Sequence, residues 1–202
     1  MKLAAVVLAG GQSRRMGGTE KSLMKLCGGS PLELILQTLD PQVEAVAINA
    51  NGDPERFSFA GLPVIADSVP DFVGPLAGVL AGMRWAAEQN MTHVLTAAAD
   101  TPFLPSDVAS RLSAALSSDT SIAMASSADR IHPVCGVWPV SLADDLEHFL
   151  VDEDKRKILE FAKRYDLLDV KFSTKHGDPF FNINTPKDFA KAKRLAEEQK
   201  LG

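Results

Sequence analysis

The sequence predicts a three-layer α/β domain, with a mainly parallel sheet carrying helices on both faces. Three observations predict it. Short apolar runs of strand length alternate with helical patterns of about 10–15 residues, as successive βαβ units require. Three of the runs lead to a polar residue, Asn49, Asp67 and Asp100, at the carboxyl end of a strand, where open α/β sheets bind ligands. The 202 residues are 46% hydrophobic, enough for a single domain, residues 1–202, to bury a core without disulfides.

The first apolar run, residues 3–8, is too short for anything but a buried strand. It leads through Ala9 into Gly10-Gly11-Gln12-Ser13-Arg14-Arg15-Met16-Gly17-Gly18-Thr19-Glu20-Lys21. The glycines let the backbone turn sharply and aim successive N–H groups at one place, and Arg14, Arg15 and Lys21 outnumber the lone carboxylate Glu20. In a chain of net charge −5, such a local excess of cations suits a polyanion. The loop lacks the Gly-Lys-Ser/Thr of a Walker A loop and the Gly-x-Gly-x-x-Gly of a dinucleotide fold.

Ser30-Pro31-Leu32-Glu33 is a capping box that opens a helix through about Leu39, which Asp40-Pro41 ends. Residues 43–49 and 62–66 read as strands that lead to Asn49 and Asp67; taken singly, each of these residues is also accounted for by turn chemistry. Gly74-Pro75 opens a helix to about Gln89, with Gly74, Gly78 and Gly82 four apart on one face. Each glycine inside a helix costs about 1 kcal/mol relative to alanine, so either a nucleotide base or the sheet comes close to this backbone. Residues 93–100 form a buried strand ending in Asp100. A lone aspartate there can be a cap, yet a strand tip facing a phosphate loop is also where Mg²⁺ would be held by one or two carboxylates and phosphate oxygens.

A helix over 106–118, a strand over 121–126, a turn and strand over 129–138 and a helix over 141–150 follow. His132, before Pro133, is either a titrating group or a polar strand-end residue. The charge run 152–157 reads as a solvated loop, residues 158–161 as helical and residues around 168–172 as a strand. Residues 180–186 are expected to close the sheet as a strand and start the last helix, with Thr185 as its N-cap, Pro186 first and Asp188 third. Capping does not explain Asn182 and Asn184, which a strand would place on one side. Residues 187–202 form a charged surface helix.

Cys27 and Cys135 are isolated, so neither a zinc site nor a disulfide framework is expected, and a reducing cytoplasm suits the chain. Met1-Lys2 and the apolar run after it imitate a secretory signal, but the run is minimal and leads straight to Arg14-Arg15. No apolar stretch approaches the roughly 20 residues of a membrane span. An acidic chain without a basic stripe is not built for a nucleic-acid duplex.

Leu8-Ala9-Gly10-Gly11-x-Ser13-x-Arg15-Met16-Gly17-x-x-x-Lys21 resembles the signature loop of nucleotidyltransferases that join an NTP to a phosphorylated acceptor. More narrowly, the chain resembles the molybdenum cofactor guanylyltransferases, which make the guanine dinucleotide form of molybdopterin. Gly74-Pro75-Leu76-Ala77-Gly78 matches a stretch near the guanine, Ala99-Asp100-Thr101-Pro102 the metal-binding strand, and Asn182-x-Asn184-Thr185-Pro186 the closing motif that faces the active site. These motifs occur in family order from Leu8 to about Phe189. Gly29-Ser30 departs from the pattern, since relatives more often carry a lysine before Pro31-Leu32.

The resemblance implies a Rossmann-like nucleotidyltransferase fold that transfers GMP from GTP to molybdenum-molybdopterin, with Mg²⁺ on Asp100. Arg15, Lys21 and Asp100 would be catalytic. Leu8, Ala9, Gly10, Gly11, Lys21, Asn49, Asp67, Gly78 and Asp100 would take up GTP in the first half. For the acceptor the residues' own chemistry is the guide: a pterin needs a hydrogen-bonding pocket, which Asn182, Asn184 and His132 offer in the second half, and its phosphate needs cations, which Arg156 and Lys157 offer. A protein that delivers or receives the cofactor is a further partner. A cytidylyl or sugar-phosphate transferase would use the same loop, and a silent relative would only bind; Lys21 and Asp100 speak for activity.

Overall fold

A computed structural model describes residues 1–10, 21–26, 28–69 and 74–200, with Lys21 and residues 198–200 described by their backbone alone. Its strands are β1 (Leu3–Leu8), β2 (Ala45–Asn49), β3 (Val64–Ile65), β4 (His93–Ala98), β5 (Ile122–Ser127), β6 (Arg130–Pro139) and β7 (Leu167–Lys171). The helices are α1 (Pro31–Leu39), α2 (Pro75–Glu88), α3 (Val108–Ala115), α4 (Ala143–Val151), α5 (Ile158–Ala162) and α6 (Pro186–Lys200). One seven-stranded sheet runs β3-β2-β1-β4-β6-β5-β7. Only β6 opposes the others, pairing antiparallel with both β4 and β5.

Alternation along the central strands divides the core in two. Ala5, Val7, Leu95 and Ala97 face α1 and α3, where Leu32, Ile35, Leu39, Val108 and Leu112 cover them. Ala4, Val6 and Val94 point the other way, under Leu76, Val79, Leu80 and Met83 of α2, with Leu146 and Phe149 of α4 and Phe161 of α5 alongside. Full burial of each such side chain contributes about 1.5–3 kcal/mol, so the three-layer arrangement follows from the pattern. The capping box of α1 forms as expected, with Ser30 N donating to Glu33 Oε2 at 2.7 Å and Glu33 N to Ser30 Oγ at 3.3 Å. Among the described residues, no helix is long and apolar enough to cross a membrane.

Of the two groups that could come close to α2, the sheet does so: a methyl on Gly82 would lie 3.2 Å from Val6 Cγ2, and one on Gly78 would lie 2.3 Å from Asn49 Oδ1. Gly74 is the N-cap, and among the described residues nothing lies within 4 Å of where its Cβ would be. Residues 180–184, expected as a closing strand, belong to no strand. Their backbone donors find other partners: Phe180 N donates to Asp178 Oδ1, Phe181 N to Asp178 O, Ile183 N to Asp100 O and Asn184 N to Asp188 Oδ2. With those groups satisfied locally, no ladder is needed. The inside-outside alternation survives, with Ile183 buried between exposed Asn182 and Asn184.

Candidate active site

The chain starts in the middle of the sheet at β1, steps outward through α1 to β2 and β3, and returns through α2 to β4 on the other side of β1. Strand order reverses between β1 and β4, and the crevice beyond their carboxyl ends is where such sheets bind ligands. Two backbone bonds draw the predicted residues together there: Ala9 N donates to Asn49 O at 2.8 Å, and Ala99 N donates to Leu8 O at 3.1 Å. Leu8, Ala9, Gly10, Asn49 and Asp100 thus border one crevice. Gly11 and Arg15, with the rest of the loop through residue 20, lie outside the described residues, as does Cys27. Lys21 opens the 3-10 turn Lys21–Leu23 that leads away from the loop.

On one side of the crevice, Asn49 and Asp67 form a single unit. Asn49 is buried, and its Nδ2 donates to Asp67 Oδ1 at 2.9 Å and to Ile65 O at 3.2 Å, which uses both amide hydrogens. Asn51, not singled out from the sequence, completes the bracket: its Nδ2 donates to Asp67 Oδ2 at 2.7 Å and its Oδ1 accepts from Asp67 N at 2.9 Å. The period-two spacing of Asn49 and Asn51 at a strand end was the available signal. Asp67 is left with a carboxylate fixed in direction and with lone pairs to spare; Asn49 orients it.

At the centre, Asp100 lies two residues beyond β4, half-buried, with Oδ1 shut away from solvent. Thr101 turns the chain there, its hydroxyl donating to Ala98 O at 2.8 Å. A carboxylate oxygen enclosed at this edge fits a hard cation that takes its remaining ligands from phosphates and water. No cluster of three or more metal-binding side chains occurs among the described residues.

On the far side, a small cluster of Leu26, Ile183, Phe189 and Ala192, with Phe103 and Phe181 packed on it, joins the exit of the signature loop, the Asp100 loop and α6. Asn182 and Asn184 stand exposed over it. The helix start is built as predicted, Asp188 Oδ2 accepting from Thr185 N at 2.8 Å and Thr185 Oγ1 accepting from Asp188 N at 3.1 Å. The hydrogen bonds from the Thr185 hydroxyl and amide hold the Asp188 carboxyl below its usual range. His132 Nε2 lies 2.7 Å from Ser127 Oγ, which donates to Asp178 Oδ1 at 2.7 Å. Neither Ser127 nor Asp178 was picked out from the sequence, because nothing in their local pattern marks them; the β5–β6 hairpin brings Ser127 to His132, and the segment after β7 brings Asp178 to Ser127. The 152–157 run is an exposed ion network. Arg164, then Lys155, hold the Glu153 carboxyl down to about 2, and Arg156 pairs with Asp154 at 3.0 Å.

The chain matches the family model of the MobA-like NTP transferase domain over residues 5–168. A molybdenum cofactor guanylyltransferase from Mesorhizobium japonicum is 54% identical over 200 residues, covering 96% of both chains. The chain belongs to the molybdenum cofactor guanylyltransferase family. Another protein of that name, from a Bradyrhizobium species, is 47% identical over 95% of this chain and 92% of its own. The crystal structure of molybdopterin-guanine dinucleotide biosynthesis protein A from Archaeoglobus fulgidus superposes with a TM-score of 0.72 at 26% identity, covering 98% of this chain and 100% of the other. Membership in the guanylyltransferase family makes the protein a nucleotidyltransferase and bears out the fold expected from the motifs. The matched domain takes in the signature loop, the Asn49–Asp67 bracket and Asp100, and stops short of Asn182 and Asn184.

Proposed function

We propose that the protein transfers GMP from GTP to the phosphate of molybdenum-loaded molybdopterin, forming the guanine dinucleotide cofactor and releasing pyrophosphate. The observation that carries the choice of base is the Asp67 carboxylate, fixed by Asn49 and Asn51 at the edge of the crevice. A carboxylate only accepts hydrogen bonds. Guanine presents two adjacent donors, N1–H and its exocyclic amine, whereas adenine and cytosine set an acceptor beside theirs. Asp67 therefore favours guanine by what its oxygens cannot do.

An oxygen of the acceptor phosphate attacks the α-phosphorus of GTP in line, and the bond from that phosphorus to the β-phosphate bridge oxygen breaks. An ionised phosphate needs no general base, so rate comes from positioning and from neutralising charge on the departing pyrophosphate. In this reading the amides of residues 10 and 11, with Arg15 and Lys21, hold the triphosphate. Asp100 would hold Mg²⁺, which when bound would supply further positive charge to offset the negative charge of the phosphates. Asn182 and Asn184, carrying both donors and acceptors, face the mixed edge of the pterin.

A nucleotide that binds the folded state raises the melting temperature by mass action. With Mg²⁺ present, GTP is expected to raise it and CTP and ATP to leave it nearly unchanged. Asp67→Asn removes charge-assisted hydrogen bonds worth about 1.5–3 kcal/mol, so its GTP affinity should fall by about 10–100-fold. A wild-type shift with CTP equal to that with GTP would overturn the guanine assignment.

A further inference from the structure

Ser127, His132 and Asp178 have the composition of a hydrolytic triad but the opposite wiring. Ser127 has one hydroxyl proton and Asp178 is an acceptor, so that proton goes to Oδ1 at 2.7 Å. His132 must then donate Nε2–H to Ser127 Oγ, across 2.7 Å. His132 turns an N–H rather than a lone pair toward Ser127, so it cannot act as the base of a nucleophilic serine. Burial, the chief influence, pushes the His132 imidazole down, with Asp178 opposing and Arg130 assisting, in keeping with a neutral ring.

The direction of these bonds runs from the β5–β6 hairpin into residues 178–184. Asp178 Oδ1, which takes the Ser127 proton, also accepts from Phe180 N at 3.0 Å, and Asp178 O accepts from Phe181 N at 3.1 Å. The His132 ring stacks on Phe180 with centroids 4.6 Å apart. Three residues beyond Phe180, Ile183 N donates to Asp100 O at 2.9 Å. Buried Ser127 is therefore the fixed point through which one strand pair grips the segment that bears both asparagines, at the carbonyl of the central aspartate.

We propose that His132 is a positioning residue for acceptor binding, acting through Ser127 and Asp178 to hold residues 180–184, and with them Asn182 and Asn184, against Asp100. The proposal rests on the reading that these asparagines receive the pterin.

His132→Phe keeps a ring on Phe180 but removes the N–H, whereas His132→Gln gives up the ring and returns an amide N–H. The loss of one such bond corresponds to a change of about 5–10-fold. In His132→Phe, hydrogen exchange at the Ile183 amide should quicken by that factor and the KM for molybdenum-loaded molybdopterin should rise by a similar one, with the KM for GTP unmoved. His132→Gln should restore most of both. Asp178→Ala added to His132→Phe should cost little more than Asp178→Ala alone, because the His132 N–H reaches the segment through Ser127 and then Asp178. If His132→Phe folds poorly, Ser127→Ala gives the same two readings. Unchanged exchange at Ile183 in a folded variant, or equal increases in both KM values, overturns the proposal. The double variant Asn182→Ala, Asn184→Ala tests the reading beneath it: a normal acceptor KM there removes the asparagines from the pterin site, while exchange at Ile183 still decides whether His132 holds the segment.

Discussion

Asp100→Asn is expected to lower turnover by about 10²–10³-fold, the usual cost of losing one preorganised electrostatic group, with little change in melting temperature. The substitution preserves shape and deletes only charge. Asp100 stands past the end of β4 rather than in the core, and the hydrogen bond that ties it to Ile183 uses its backbone carbonyl, which asparagine keeps. Asparagine leaves neither a cavity nor an overpacked site where the enclosed Oδ1 lies, so the scaffold should register it little. Pyrophosphate release and calorimetry on the same preparation separate the two effects. Wild-type turnover would remove Asp100 from the chemistry, and a large drop in melting temperature would make it a structural residue.

Gly78→Ala should damage stability and GTP binding together. Its methyl would sit 2.3 Å from Asn49 Oδ1, 3.1 Å from Asn49 Cγ and 3.2 Å from Leu8 Cδ2. Asn49 cannot swing aside without releasing Asp67 and the Ile65 carbonyl, both held by its Nδ2. Alanine gains about 1 kcal/mol in helix propensity, but forcing an atom into a packed site costs about 1–3 kcal/mol, and here the displaced group is also the one that orients the Asp67 carboxylate proposed to read the base. GTP affinity is expected to fall by about tenfold or more. Gly82→Ala is the control: its methyl meets Val6 Cγ2 at 3.2 Å and touches no site residue, so stability alone should respond. Urea unfolding and GTP titration of both variants decide it; a stabilised Gly78→Ala with wild-type GTP affinity contradicts the packing argument.

Much of this architecture was legible in the chain because it rests on local pattern. The apolar runs, the capping boxes at Ser30 and Thr185 and the polar strand ends of Asn49 and Asp100 are properties of neighbouring residues, and the structure keeps them. What could not be read is what depends on distant pairing. The glycines of α2 announced a close approach without naming the partner, since Val6 and Asn49 reach them only once β1 and β2 lie under the helix. Residues 180–186 have the alternation of a strand, but Asp178 and Asp188 capture most of their backbone donors and the Asp100 carbonyl takes that of Ile183. Pro133 lies where the β5–β6 register shifts, and the shift brings His132 opposite Ala125, near Ser127. No local signal predicts that shift. The triad-like Ser127, His132 and Asp178 are separated by up to 51 residues, and only the direction of each hydrogen bond tells what they do.

GTP labelled at its α-phosphate, incubated with the purified protein, Mg²⁺ and molybdenum-loaded molybdopterin, tests the proposed reaction most directly. Label should move onto the pterin as the guanine dinucleotide with an equimolar release of pyrophosphate, and CTP labelled in the same way should give almost none. Equal transfer from CTP, or GTP consumed with no label reaching the pterin, would contradict guanylyl transfer.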